Sequence, residues 1–323
     1  MPSTPARRPR FERAPVRRMV LTSRDIELLR AVHRHRFLRS THLVALADGS
    51  RQAVLRRLQL LFHHGYVERP VFQLDWYTGG SQPLVYALGK RGAKAIAAAG
   101  WRSGVCLDSK NRSLSRVFLH HTLAVADVMV AFEVACRERP DLDFIRAEEV
   151  LARAPAATRP LRSPLRWQVD VRLDARPQHL AIEPDAIFGL RLKGEFGNPR
   201  EAFFFLEADR GTMPVARKSL TQTSFARKLM AYRETWRQGV HKARFGIPGF
   251  RVLAVTASSE RLGHLVAACR SLPSSGARLF LFAHVSQIRE ANVLAMRWVD
   301  GRGKSATLIA PGQANAFNPS AIA

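Results

Sequence analysis

Apolar positions recur at helical spacing through the first hundred residues and in strand-like runs further on, so periodicity divides the chain before any motif is considered. Ile26, Leu29, Val32 and His33 share one helical face behind Thr22. The Thr22 hydroxyl reads as the cap, with Asp25 three residues on as its reciprocal partner. Ser40 reads as the cap of a second, short helix carrying Leu43, Val44 and Leu46. A tight turn over 47–50 leads into a third helix, 51–64, whose apolar stripe is Val54, Leu55, Leu58, Leu61 and Phe62. Gly65 ends it. Residues 66–70 then read as a strand and 84–88 as its return partner, around a loop with Gly79, Gly80 and Pro83. The run Leu88-Gly89-Lys90-Arg91-Gly92-Ala93 opens an Ala-rich helix ending near Gly100.

After a polar, basic stretch the pattern changes. Residues 120–137 predict a long apolar helix with Leu123, Val125, Val128, Met129, Phe132 and Val134 inside. Strands are expected over 143–150, 182–190, 202–208, 250–257 and 279–284, and helices over 219–237 and 261–272. A last hairpin is expected over 296–299 and 306–309. Strands alternating with crossover helices predict an α/β domain on one central mixed sheet. The expected fold class is therefore α+β in two domains. Its parts are a basic tail (1–18), a winged helix-turn-helix (19–101), a linker (102–118), the α/β domain (119–312) and a second tail (313–323). Three helices followed by a β-hairpin are the order of a winged helix, whose third helix enters the major groove.

Charge changes this picture from a fold to a partner. The 323 residues include 51 Lys/Arg and 26 Asp/Glu, a formal charge of +25. Residues 1–120 hold 22 of the basic residues against 7 acidic ones, so the surplus is densest where the helix pattern lies. A surplus of this size points to a polyanion, and double-stranded DNA is the partner expected. On the third helix Gln52, Arg56, Gln59 and His63 recur on the polar face, with Arg51 and Arg57 on its flanks. Arg and Gln pair in two-pronged fashion with guanine and adenine edges, which makes these six the candidate DNA-binding residues. A solvated polar face has the same pattern, and a winged helix used for protein contacts is the competing reading. The first twenty residues are rich in Arg and Pro without an apolar core, so no secretory signal is read there. No run of about 18 apolar residues is found, and the three cysteines are far apart. A cytoplasmic protein with no membrane partner is expected.

Candidate chemistry lies at two strand ends. Ile182-Glu183-Pro184-Asp185 precedes an apolar strand, and Phe203-Phe204-Phe205-Leu206 runs into Glu207-Ala208-Asp209-Arg210. Residues two apart on a strand face one way, so Glu207 and Asp209 point together, and an adjacent strand brings Asp185 beside them. Clustered carboxylates repel unless a cation lies among them. Magnesium suits them, because it takes one or two carboxylates plus substrate phosphate. The pattern resembles the PD-(D/E)xK nuclease fold. That resemblance implies Asp185, Glu207 and Asp209 as metal ligands, although a lysine is expected where Asp209 stands. It implies Lys228, or less directly Lys218, as the catalytic lysine relocated to the next helix, and Glu133 as a helical acid. An Asp209–Arg210 ion pair in a domain that does not cut is the alternative.

The whole order resembles the replication-relaxation family of plasmid and mobile-element proteins. The residues are Leu21-Thr22-x-Arg24-Asp25, His121-Thr122-Leu123, the Pro184-Asp185 strand, Glu207-x-Asp209-Arg210-Gly211-Thr212 and Lys228-x-x-x-Tyr232. The resemblance implies a role in plasmid replication and DNA relaxation, with replication or conjugation proteins as further partners. Under it, aspartate in place of the lysine is usual. His120 and Asp127 lie seven apart, on one face of the long helix, and read as a helix-packing pair, with a pairing near the acidic site as the alternative. No phosphate-binding loop, dinucleotide fingerprint or serine elbow occurs, and the clustered histidines of a relaxase are missing. Three readings stay open: a DNA-binding protein with a silent nuclease-like domain, a Mg-dependent endonuclease, and a regulator whose second domain dimerises.

Overall fold

The computed structural model describes residues 10–14, 18–73, 82–101, 116–173, 176–194, 199–216, 224–271 and 276–308. The chain is a mixed α/β protein with ten α-helices and a large mixed sheet among these residues. It divides into two compact units, residues 1–130 and 131–323.

In the first unit, α1 (Ser23–His35) starts where the capping pattern places it. Thr22 Oγ1 accepts from the Asp25 amide at 3.3 Å, and the Thr22 amide donates to Asp25 Oδ2 at 2.7 Å. A short strand that the sequence pattern did not indicate, β1 (Phe37–Arg39), follows, then α2 (Ser40–Leu46). Ser40 is the first helical residue and not the cap. Arg39 occupies the cap position, and its amide donates to His42 Nδ1 at 3.3 Å. Next come α3 (Arg51–His63), capped by Ser50, β2 (Val67–Glu68), β3 (Val85–Leu88) and α4 (Lys90–Ala98). The strands form one antiparallel sheet in the order β1-β3-β2, with Val67 opposite Leu88. The loop residues Gly79 and Gly80 lie outside the described residues.

Two glycines of the 88–93 run have a steric reason. A Cβ on Gly92 would stand 2.1 Å from the Tyr66 carbonyl oxygen, and one on Gly89 would stand 2.4 Å from that of Gly65. Only hydrogen at these positions lets the start of α4 lie against the chain entering β2.

The division between units falls inside α5 (Arg116–Arg137), whereas the sequence pattern begins the second domain at 119. Leu119 and Leu123 join Phe37, Val85 and Ala87 in the core of the first unit. Further along, Phe132 packs on Phe188 with ring centroids 4.7 Å apart. By length and composition alone α5 is apolar enough to cross a membrane, contrary to the sequence expectation, and half of its most apolar window is buried. Its acidic residues are paired: Asp127 with Arg39 and with His42 (2.8 Å), Glu133 with Arg146 (3.2 Å). Asp127 thus meets α2 and its cap residue within the first unit.

The second unit continues with β4 (Leu142–Ile145) and α6 (Ala147–Arg153). The single strand expected over 143–150 is therefore a strand followed by a helix. A hairpin of β5 (Trp167–Leu173) and β6 (Arg176–Ile182), absent from the sequence reading, precedes β7 (Ala186–Leu192) and β8 (Arg200–Asp209). The remaining elements are α7 (Phe225–Arg237), α8 (Val240–Phe245), β9 (Arg251–Thr256), α9 (Ser259–Arg270), β10 (Phe280–His284), α10 (Val285–Glu290), β11 (Trp298–Asp300) and β12 (Ser305–Ala306). The seven-stranded sheet runs β12-β11-β10-β9-β8-β7-β4. The β8–β9 and β9–β10 pairings are parallel, and the other pairings in this series are antiparallel.

The interior strand β8, between β9 and β7, is apolar on both faces because both are covered. Phe205 faces Trp167, Tyr232, Phe245 and Phe250, while Phe204 stacks on Phe188. This period of two fixes which way its last residues point. Glu207 and Asp209 continue the Phe205 side, toward α7 and α9.

Candidate functional site

The third helix separates its two faces as the pattern implied, with two exceptions. Val54, Leu58, Leu61 and Phe62 are buried; Arg51, Gln52, Arg56 and Gln59 are exposed. Arg57, taken from sequence as a flanking DNA contact, is turned inward. Its Nε and Nη2 donate to Asp25 Oδ1 and Oδ2, both at 2.6 Å. Asp25 has no exposed surface. Burial alone would raise its pKa, but the bonds from Arg57 and Thr22 outweigh burial and hold the carboxyl below its ordinary value. Asp25 thus closes the start of α1 and anchors α3, a second duty that the capping pattern does not reveal. His63 is half-buried, and its Nδ1 accepts from the Ala14 amide at 3.1 Å. Of the six proposed reading residues, four therefore stand clear on one exposed face.

The acidic residues are gathered at one end of the large sheet. The antiparallel register of β7 on β8 sets Ala186 opposite Leu206, so Asp185 falls opposite Glu207. The Asp185 amide donates to the Leu206 carbonyl (2.9 Å), and its Oδ2 accepts from the Ala208 amide (2.7 Å). Glu207 is 2% exposed. From α7, one turn apart, Lys228 Nζ donates to Glu207 Oε2 at 2.5 Å and the Tyr232 hydroxyl to Oε1 at 2.6 Å. Asp209 belongs to a separate pairing. Arg261, at the start of α9, donates from Nε to Oδ2 (2.8 Å) and from Nη2 to Oδ1 (3.0 Å), and Thr256 Oγ1 adds a bond of 3.2 Å.

The charges follow from this enclosure. Burial pushes the Glu207 carboxyl up to about 7; Lys228 pulls it down and the nearby Asp185 adds to the rise. Burial would lower the Lys228 ammonium, yet Glu207, Asp185 and Asp209 together hold it above the ordinary lysine value. Tyr232 is raised well above its ordinary value by burial and by the Glu207 charge, so its phenol stays protonated and donates. The ensemble is a buried carboxyl held between a cation and a hydroxyl.

Sequence reasoning therefore placed Asp185, Glu207 and Lys228 together. It gave Tyr232 no part in the cluster, although the Lys228-x-x-x-Tyr232 spacing puts both on one face of a helix. Arg261 was missed outright, because no local spacing links it to Asp209. Lys218 lies outside the described residues, and Glu133 is held by Arg146. Among the described residues no group of three His, Cys, Asp or Glu side chains is arranged to hold a metal ion. Both oxygens of Glu207 and both of Asp209 already accept hydrogen bonds. A magnesium ion would have to displace Lys228 or Arg261, so this donor set does not fit a resident cation.

A family model described as replication-relaxation matches residues 29–249. The chain belongs to the replication-relaxation family. No curated protein and no solved structure matches it. The matched span takes in all of α3 as well as Asp185, Glu207, Asp209, Lys228 and Tyr232, and it ends before Arg261. Family membership connects the chain with replication and relaxation. The exposed basic helix and the buried acid–lysine pair both lie within the matched residues.

Proposed function

We propose that this replication-relaxation protein is a cytoplasmic, double-stranded-DNA-binding protein of a plasmid or mobile element. In this reading the first unit is a winged helix whose α3 reads the major groove, and the second is a nuclease-like domain that does not cut. One observation carries it: Arg51, Gln52, Arg56 and Gln59 stand exposed on a 13-residue helix whose opposite face is buried. A helix so supported presents its polar face as a rigid body, and Arg and Gln match base edges in that groove. The test is binding of labelled duplex DNA by the full chain and by its Arg56→Ala/Gln59→Ala variant. Each lost base contact is expected to cost about 1–3 kcal/mol. Equal affinity and an unchanged footprint refute the assigned face.

The second reading is a Mg-dependent endonuclease acting through Asp185, Glu207, Asp209 and Lys228; the first two and Lys228 do converge, but an ion could enter only by displacing Lys228 or Arg261. Supercoiled plasmid incubated with magnesium decides between the two. Nicking that disappears in Glu207→Ala establishes the enzyme, and intact plasmid with every divalent metal tried rules it out.

A further inference from the structure

At the far end of α3 from Ser50, three arginines are gathered by aromatic rings, and one of them, Arg13, also has an acid, Glu68, at the edge of reach. Arg69 Cζ lies 4.1 Å from the centroid of the Phe62 ring, and Arg13 Cζ lies 5.5 Å from the same centroid. Arg91 Cζ lies 4.8 Å from the Tyr66 ring centroid. Gly65, with φ +75°, separates two of them. A Cβ there would stand 3.7 Å from Arg13 Cζ and 3.8 Å from Arg91 Cδ.

Their hydrogen bonds go to neutral oxygens. Arg13 Nε donates to the Phe62 carbonyl (3.1 Å), Arg91 Nη1 to the His64 carbonyl (2.9 Å) and Arg69 to the Arg10 carbonyl and the Tyr86 hydroxyl. Glu68 approaches Arg13 at 3.9 Å, across a half-exposed gap. Arg69 and Arg91 have no carboxylate partner among the described residues. The contrast with Arg57, which is neutralised by Asp25 in the same unit, is direct. Rings and carbonyls fix the direction of a guanidinium without cancelling its charge. Three such groups held together repel one another until a polyanion joins them.

We propose that Arg13, Arg69 and Arg91 form a phosphate-backbone clamp at the C-terminal end of α3. This rests on the DNA-binding reading and adds to it a contact that is indifferent to base sequence. The segment 10–14 is part of the clamp, since Arg13 and the Ala14 amide tie it to Phe62 and His63. Anchored side chains lose little rotamer freedom on meeting phosphate, and each neutralised phosphate releases condensed counterions from the duplex.

The full chain and its Arg69→Gln/Arg91→Gln variant are titrated with two fluorescent duplexes of unrelated sequence, across a series of salt concentrations. The slope of log affinity against log salt is expected to become shallower by about 0.9 for each phosphate contact removed. The loss is equal on both duplexes, and Arg69→Lys/Arg91→Lys keeps the slope because it keeps the charge. An unchanged slope in the glutamine variant overturns the clamp while leaving the α3 reading intact. A loss confined to one duplex also overturns it, because that is base recognition. A wild-type chain with no affinity for either duplex ends both ideas. Thermal unfolding of each variant guards against misfolding; if the double variant does not fold, Arg91→Gln alone, at an exposed position, must lower the slope by about 0.9 or the clamp fails.

Discussion

The exposed face of α3 and the acidic end of the large sheet treat charge in opposite ways. On α3 the cations Arg51 and Arg56 are left in water, and the one arginine beside them that meets an acid, Arg57, is partly buried against Asp25. At the sheet end every candidate acid is met. Glu207 has Lys228 and Tyr232, Asp209 has Arg261 and Thr256, and Asp185 has the Ala208 amide. An exposed charge keeps its hydration until a partner arrives, so it suits recognition. A buried charge has lost its hydration and must be compensated inside the fold, so its partners are structural before they are anything else. The comparison separates a surface built to meet an external polyanion from a cluster whose electrostatic demand is met within the chain.

The largest expected effect tests the second half of that contrast. Lys228→Met removes the cation that pulls the Glu207 carboxyl down, so the buried acid keeps only Tyr232 or must take up a proton, and breaking such a pair costs about 3–5 kcal/mol. Urea unfolding at pH 8, where Glu207 is ionised, is the measurement. A cost below 1 kcal/mol would mean that water reaches Glu207 freely and that the sheet end is an open site after all.

A pH series sharpens the same point. The folded-state pKa of Glu207, about 7, lies above its ordinary value of 4.5. Between these values the folded chain keeps a proton that the unfolded chain has lost, so stability from this group falls as pH rises through that window. The slope it contributes is at most about 1.4 kcal/mol per pH unit. Asp25 has the opposite sign. Its carboxyl is held below its ordinary value of 3.8, so its contribution is complete above that value and is lost on acidification. Glu207→Gln should flatten the decline between pH 5 and 7; a wild-type curve that rises across that interval and is unaltered by the substitution refutes the assignment.

Much of this was legible in the sequence, and the illegible part has a common cause. The Thr22–Asp25 cap, the stripe of α3, the core strand β8 and the facing of Glu207 with Asp185 follow from local period and register. The β5–β6 hairpin was missed although Trp167, Val169 and Val171 alternate inward, because the intervening residues and the Arg- and Pro-rich sequence before them masked the period. Residues 147–150 were merged into the strand expected over 143–150 because Ile145 and Val150 are both apolar, and two apolar positions do not distinguish strand from helix. Arg57 with Asp25 and Arg261 with Asp209 are 32 and 52 residues apart. No local rule joins them. Only the packing of α3 on α1, or of α9 beside β8, brings those charges together.

Gly92→Ala is the next effect in size. Its methyl would meet the Tyr66 carbonyl oxygen at 2.1 Å and Leu88 Cδ1 at 2.9 Å, so α4 must move off the chain entering β2. Overpacking of this kind costs about 1–3 kcal/mol, read as a shift in the unfolding midpoint of the first unit. If the second unit's tryptophans, Trp167, Trp236 and Trp298, report the same shift, the two units unfold together. If they do not, the contrast between the regions extends to their stability.

The smallest expected effect is the most discriminating. Arg56 and Arg57 are adjacent in sequence, yet one is exposed on the proposed reading face and the other is bound to Asp25. The double variant Asp25→Asn/Arg57→Gln removes a cation and an anion together, leaving the net charge of the unit as it was. Removing both members of a buried pair avoids stranding either, so the fold is expected to survive it. Its discrimination between matched and mismatched duplexes should then equal that of the wild type, while Arg56→Gln lowers it. Base readout requires a guanidinium free to reach a guanine edge, and one already forked onto a carboxylate has no second pair of donors so placed. Competition binding with duplexes differing at single base pairs measures the difference. Loss of discrimination in the double variant would show that Arg57 leaves Asp25 when DNA arrives, and the sharp division between a charge spent inside the fold and one held ready outside it would not survive.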